Sequence, residues 1–244
     1  MAIQGLYKIF DHWHKNGAVW IISDLHFGDK ELECAVLGRP TAEQIVKLIN
    51  SKVGKYDTLI CLGDVIDVDY VRQLKGYKVL IMGNHDSGRT NYERQIITQQ
   101  FFKNQYTKQQ VLNLTKTLFP NYKYSIDEND EIVWEIIADN MLFDEVYEGP
   151  LMISEKLILS HEPIDVSWAF NIHGHIHDSK HKNNKRHFNV CSDTIGYVPI
   201  NMNQWMKQGY LSHIESIHRT TIDKATERKK KRDGRSFNSY GQKR

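Results

Sequence analysis

Apolar and polar residues follow one another along this chain in two rhythms. Short apolar runs of buried-strand type occupy residues 18–23 (AVWIIS), 58–62 (TLICL) and 78–82 (KVLIM). Between the first two, Ile45, Leu48, Ile49 and Val53 recur at the helical period, and Thr41 and Gln44 have capping-box spacing. Residues 41–53 are therefore expected to form an amphipathic helix. Strand, helix, strand, short helix, strand is the order of a parallel-sheet α/β domain. Strand patterns resume at 151–160, read as a hairpin turning at Ser154 and Glu155, and again at 170–173 and 187–191. Pro199 suits the first turn of a helix.

After Asp86 the texture changes. Residues 91–113 hold nine Asn and Gln, and 107–118 combine a helix cap with apolar positions 111, 114 and 118. Residues 87 to about 140 are expected to form a mostly helical insertion that closes in a strand near 131–137. With both ends near the loops discussed below, the insertion would overhang them and set access. The last residues, 224–244, lack apolar periodicity and are expected to be a disordered tail on a single domain of residues 1–223.

Composition narrows the class. A chain of 244 residues with 40% hydrophobic and 25% charged residues is neither disordered nor collagen-like and is long enough to bury a core. No apolar run approaches the roughly 20 residues of a membrane span. Lys, Asp and His interleave the apolar residues of 1–16, unlike a signal peptide. Cys34, Cys61 and Cys191 are too few and too irregularly spaced for a disulfide scaffold or a cysteine zinc cage. A cytoplasmic protein without a membrane partner is expected. The net charge of +2 hides an asymmetry, since 224–244 carries nine Lys and Arg against two Asp and Glu, leaving the body at −5.

Candidate chemistry lies where the strands end. The first leads into Asp24-Leu25-His26, the second into Gly63-Asp64-Val65-Ile66-Asp67, and the third into Gly83-Asn84-His85-Asp86. Later strands end in His161 and in Gly174-His175-Ile176-His177. Open α/β sheets bind ligands outside the carboxyl ends of their strands. Each motif alone has an ordinary structural use, Asp64 and Asp67 as helix caps and Asn84 and Asp86 as turn residues. Five such loops converging on one edge describe a site. Imidazole, carboxylate and amide oxygen without thiolate suit manganese, iron or zinc. A carboxylate can also bridge two ions about 3.5–4 Å apart.

In this order the five motifs resemble those of the calcineurin-like metallophosphoesterases, and the run from Ile22 to Gly28 is similar to small bacterial and phage-type members. Asp29 stands where many relatives carry a histidine. The resemblance covers about residues 18–205 and implies an α/β sandwich of two mixed sheets flanked by helices, here with the helical insertion. It implies two divalent ions, Mn²⁺ favoured, with Fe, Zn or Ni as alternatives. Asp24, His26 and His177 would hold one ion, and Asn84, His161 and His175 the other, with Asp64 bridging. His85 would face the scissile phosphate, oriented by Asp67, and serve the leaving oxygen. The ions would give hydroxide near neutral pH from a water between them and neutralise the phosphate oxygens.

The expected activity is hydrolysis of a phosphate ester, with a phosphodiester of a nucleotide or nucleic acid favoured. A phosphomonoesterase or phosphoprotein phosphatase is the alternative within enzymes. A catalytically silent binding module on the same fold is the alternative outside them. The cationic tail, 224–244, has two readings, a solubilising disordered end or a segment that captures a polyanion, nucleic acid above all.

Overall fold

The computed structural model describes residues 5–36, 38–86, 95–140, 142–178 and 184–238. The three apolar runs form parallel strands β1 (Val19–Ile22), β2 (Thr58–Cys61) and β3 (Tyr77–Ile81). Their alternation sorts the side chains between two layers. Val19, Ile21, Ile60, Leu62, Val79 and Ile81 enter the central core, whereas Ile22, Leu59, Cys61 and Leu80 face helices. After α1 (Lys30–Ala35), helix α2 (Ala42–Asn50) covers that outer face with Ile45 and Ile49. Its start is the expected capping box, with the Thr41 hydroxyl accepting from Gln44 N–H and the Gln44 side chain accepting from Thr41 N–H. The short helix α3 (Val68–Val71) then leads back to β3.

The insertion is mainly β-sheet, correcting the helical expectation. β4 (Gln95–Phe102), β5 (Lys123–Asn129) and β6 (Val133–Asn140) form an antiparallel sheet in the order β4-β6-β5. One helix, α4 (Lys108–Leu118), packs Val111 against Phe101, Trp134 and Ile136. β6 realises the strand expected near 131–137, whereas β4 and β5 escape a reading by pattern because β4 is Gln-rich without clean alternation and β5 is mostly exposed. Residues 87–94 of the expected insertion lie outside the described residues.

The two ends of the insertion do not both adjoin the catalytic-type loops. Its far end meets the body where Arg72 Nη2 donates to Asn140 Oδ1 at 2.9 Å. The chain then passes Lys78, at the start of β3, and enters β7 (Glu145–Tyr147) from the amino end of the sheet. The Gly83–Asp86 loop that precedes the insertion in sequence lies at the opposite, carboxyl end of β3, whereas the first described residue of the insertion, Gln95, pairs with Asn140 at the far end.

A second sheet follows in the order β11-β10-β9-β8, from β8 (Leu151–Ser154), β9 (Leu157–Leu159), β10 (Phe170–His173) and β11 (His187–Asn189). β8 and β9 make the expected hairpin, and the remainder is parallel. Beyond α5 (Ser192–Ile195), strand β12 (Ile200–Asn201) pairs antiparallel with β1 and completes the first sheet, β12-β1-β2-β3-β7. Helix α6 (Met202–Lys207) starts three residues beyond the position that Pro199 suggested, because Asn201 supplies the cap through Gln204 N–H. The architecture is the expected α/β sandwich of two mixed sheets flanked by helices. Its shared core includes Ile153, Leu157, Leu159, Phe170 and Ile172 from the second sheet.

The carboxyl-terminal segment departs from the expected disorder. Residues Ile217–Asn238 form helix α7, most of it exposed, and residues 239–244 of the expected tail lie outside the described residues. Lys, Arg, Glu and Ala favour helix without any apolar stripe, and Arg219 pairs with Asp223 one turn on at 3.2 Å. Among the described residues no helix is long and apolar enough to cross a membrane.

Thr41→Ala removes one half of the α2 capping box. It is expected to lower stability by about 1 kcal/mol, measured as a shift in the urea unfolding midpoint at unchanged slope.

Candidate metal centre

The first and second sheets bring their carboxyl ends to one edge, and the loops there carry the expected residues. β1 delivers Asp24 and His26, β2 delivers Asp64, and β3 delivers Asn84 and His85. From the other sheet, β9 delivers His161, and β10 delivers His175 and His177. Donor atoms of Asp24, His26 and His177 converge within 4.8 Å of one another, and so do those of Asp64, His161 and His175. Asn84 joins the second group, with Oδ1 at 2.9 Å from His161 Nε2. The expected ligand sets are thus brought together from both sheets.

Close approach of these loops constrains the backbone. A side-chain carbon at Gly174 would lie 1.9 Å from Ser23 Oγ and 2.4 Å from Asp24 Oδ2. One at Gly83 would lie 2.3 Å from Asp64 Oδ1. Only glycine permits either contact. Asp24, His26, Asp64 and His175 themselves adopt left-handed backbone, with φ of 57°, 41°, 54° and 66°. Ile66 does so at 72°, an unusual conformation for a β-branched residue. Such strain costs about 1–3 kcal/mol per residue and persists only where the surroundings enforce it.

Backbone N–H groups aim the carboxylates. Asp24 Oδ2 accepts from His175 N at 2.8 Å, and Asp64 Oδ1 accepts from His85 N at 2.9 Å. Asp86 ties its own loop to the preceding one, accepting from Asp64 N at 2.7 Å, Gly83 N at 3.0 Å and Val65 N at 3.2 Å. The other carboxylate oxygens are left facing the imidazoles. Asp24 Oδ1 lies 3.5 Å from His177 Nε2, and Asp64 Oδ2 lies 3.5 Å from His26 Nε2 and 3.3 Å from His161 Nε2.

The imidazoles are aimed by partners behind them. His161 Nδ1–H donates to Leu62 O at 2.8 Å, His26 Nδ1–H to Asp29 Oδ2 at 3.0 Å, and His177 Nδ1–H to Asp193 Oδ2 at 2.6 Å. Each ring therefore turns Nε2 into the site, an arrangement usual for histidines that bind metal. Asp193 is itself held by Arg39 Nη1 at 2.5 Å and by the Tyr197 hydroxyl. Sequence reasoning missed Asp193, Arg39 and the bracing role of Asp86, and read Asp29 only as a missing histidine. The run Gly83-Asn84-His85-Asp86 contained the signal for Asp86. Asp193 follows no motif.

Electrostatics follow the geometry. Burial works to raise the Asp64 pKa, but the His161 and His26 imidazoles and the His85 N–H outweigh it and hold the carboxyl far below its usual range. Burial likewise opposes charge on His161, and the Asp64 and Asp24 carboxylates overcome it, raising its pKa. Asp193, with help from Asp24, pushes His177 up to about 12 in the absence of an ion. Cys191 stands beside His177 and Asp193, but burial pushes its thiol up to about 11, so it stays protonated.

Two observations match the donor set to divalent ions. Asp24 Oδ1 and His26 Nε2 are buried and have no hydrogen-bond partner. A buried polar atom left unsatisfied costs about 1–3 kcal/mol, which a cation between these atoms would offset. Asp67 has its spacing's structural use as well, since its Oδ1 accepts from Asp69 N at 2.9 Å and caps α3. His85 lies on the open side with its side chain 50% exposed, its ring centroid 5.2 Å from that of His26.

The pattern of the calcineurin-like phosphoesterase family matches residues 17–179. No curated protein matches the chain. A solved structure of a protein of unknown function from Aquifex aeolicus is 19% identical, with a TM-score of 0.45 over 78% of this chain and 98% of that one. The family match covers about two thirds of the sequence and contains both donor groups, Asn84, Asp67 and His85. With Asp and His groups of metal-binding geometry inside the matched region, the chain belongs to the calcineurin-like phosphoesterase family, whose members are metal-dependent phosphoric ester hydrolases.

Proposed function

We propose that this protein is a phosphodiesterase that cleaves a nucleotide or nucleic-acid phosphodiester at a pair of divalent ions, Mn²⁺ by preference. The observation that carries this reading is the position of Asp64. Its Oδ2 faces His26 of one donor group and His161 of the other, the placement required of a carboxylate serving two ions. Asp24, His26 and His177 hold the first ion, and Asn84, His161 and His175 hold the second. When bound, such ions polarise the phosphoryl oxygens and make a nucleophile available near neutral pH.

The remaining chemistry belongs to the protein's own groups. Cleavage of a P–O bond releases an alkoxide that needs a proton. His85 stands at the open side of the site with its backbone N–H anchored on Asp64, and in our reading it holds that proton at its imidazole. Asp67 orients the ring. A polyanionic substrate is favoured by α7, where Lys224, Arg228 and Lys231 are exposed and fall at i, i+4 and i+7 on one face. Over residues 224–238 the tail presents its cations on a helix, and the proposed role in capturing nucleic acid remains.

Chelation is expected to abolish turnover and Mn²⁺ to restore it. On a panel of bis-para-nitrophenyl phosphate, para-nitrophenyl phosphate, cyclic nucleotides and single-stranded nucleic acid, the diesters should lead. Asp64→Ala should lower metal stoichiometry at both sites. Turnover that survives chelation would overturn the metal reading, and a clear preference for the monoester would overturn the diesterase reading.

His85→Ala should lower kcat by about 10²–10⁴-fold while both ions stay bound. The loss should shrink for nitrophenolate leaving groups, which need no proton. Loss of an ion in this variant, read by elemental analysis, would make His85 a ligand instead.

Deleting residues 225–244 should weaken nucleic-acid binding and flatten its salt dependence, which scales as about −0.7 per neutralised phosphate on single strands. Turnover of a small phosphodiester should be spared. Unchanged binding after deletion would remove nucleic acid from the proposal.

A further inference from the structure

β4 lies at the rim of the insertion sheet, and it lacks the devices that keep sheet edges apart. Such edges are ordinarily blunted by charge, proline, a bulge or brevity. Over Gln95–Phe102 (QIITQQFF) there is no Lys, Arg, Asp, Glu or Pro. All eight residues pair with β6 in unbroken register. Among the described residues no strand pairs with its other side. Ile96 is 57% exposed and Phe102 52%, and Thr98 and Gln100 between them are exposed too.

The register separates two faces. Ile97, Gln99 and Phe101 stand opposite Ala138, Ile136 and Trp134, on the side that α4 covers. Ile96, Thr98, Gln100 and Phe102 stand opposite Asp139, Ile137, Glu135 and Val133, on the uncovered side. Along the strand the residue types read the same in both directions from Gln99. Two apolar residues, three polar ones and two apolar ones follow in turn from Ile96 to Phe102. A strand with this order is complementary to itself when reversed.

We propose that two copies of this chain join edge to edge through β4, antiparallel about a two-fold axis at Gln99, to make one six-stranded sheet. In that register Ile96 meets Phe102 of the second copy, Ile97 meets its Phe101, and Thr98 meets its Gln100. Opposite residues in an antiparallel pair share a face. Both α4 helices therefore lie on the same side, and the two uncovered faces become continuous. The exposed backbone groups of β4 are satisfied by an identical row, as an isologous contact requires. Absence of charge removes the like-charge repulsion that would otherwise oppose an edge meeting itself.

Sedimentation equilibrium of the full chain should give twice the 28.6 kDa of one copy. In the proposed register, Thr98→Lys combined with Gln100→Lys sets like charges opposite and should halve the mass. Thr98→Lys combined with Gln100→Glu sets opposite charges face to face and should keep the dimer. Gln99→Cys lies directly opposite itself and should cross-link on oxidation. Ile97→Cys, four positions out of step with its counterpart, should not, because about 13 Å of strand separates the two. Circular dichroism confirms that each variant is folded. A monomeric parent chain, a dimer indifferent to both charge pairs, or cross-linking of Ile97→Cys as readily as Gln99→Cys would each overturn the proposal.

Discussion

Two carboxylates, Asp24 and Asp64, are buried at the junction of the sheets, and their charge has to be answered locally. Taking an ionised carboxylate out of water without partners is prohibitive, and pairing is what makes it tolerable. Here each carboxylate receives one backbone N–H and faces imidazoles with its other oxygen. That answer requires loops from five strands to approach more closely than side chains normally allow. Glycine at 83 and 174 and left-handed backbone at four of the ligands are the local consequences. The cohesion that opposes this strain is the apolar layer between the sheets, fully buried along β1, β2, β9 and β10.

Much of this was legible in the sequence. Strands β1, β2 and β9 and the end of β3 are short, apolar and largely buried, so composition alone marks them. Helix α2 announces itself by cap and stripe. The site residues were legible for a related reason: each sits within a few positions of a strand end, so locating the strand locates the ligand. Only the directions of the side chains needed the fold.

The misreadings share a cause. β4 is defined by its pairing with β6 and not by any alternation of its own, so a Gln-rich run looked helical. α7 covers no core, so the absence of an apolar stripe looked like the absence of a helix, although propensity suffices there. Asp193 lies 16 residues beyond His177 and meets it only through the fold. Arg39 reaches Asp193 across 154 positions. Partners fixed by tertiary contact leave no spacing to read.

Each donor group draws on both sheets. Asp24 and His26 come from the first and His177 from the second, and Asp64 and Asn84 face His161 and His175 across the same seam. Whatever occupies the groups therefore rivets one half of the sandwich to the other at the edge where the loops carry the most strain. Its binding free energy is added to the cohesion of the fold through mass action. For such a molecule, cofactor supply and resistance to unfolding are linked equilibria, and an ion bound across the seam would hold the two sheets together.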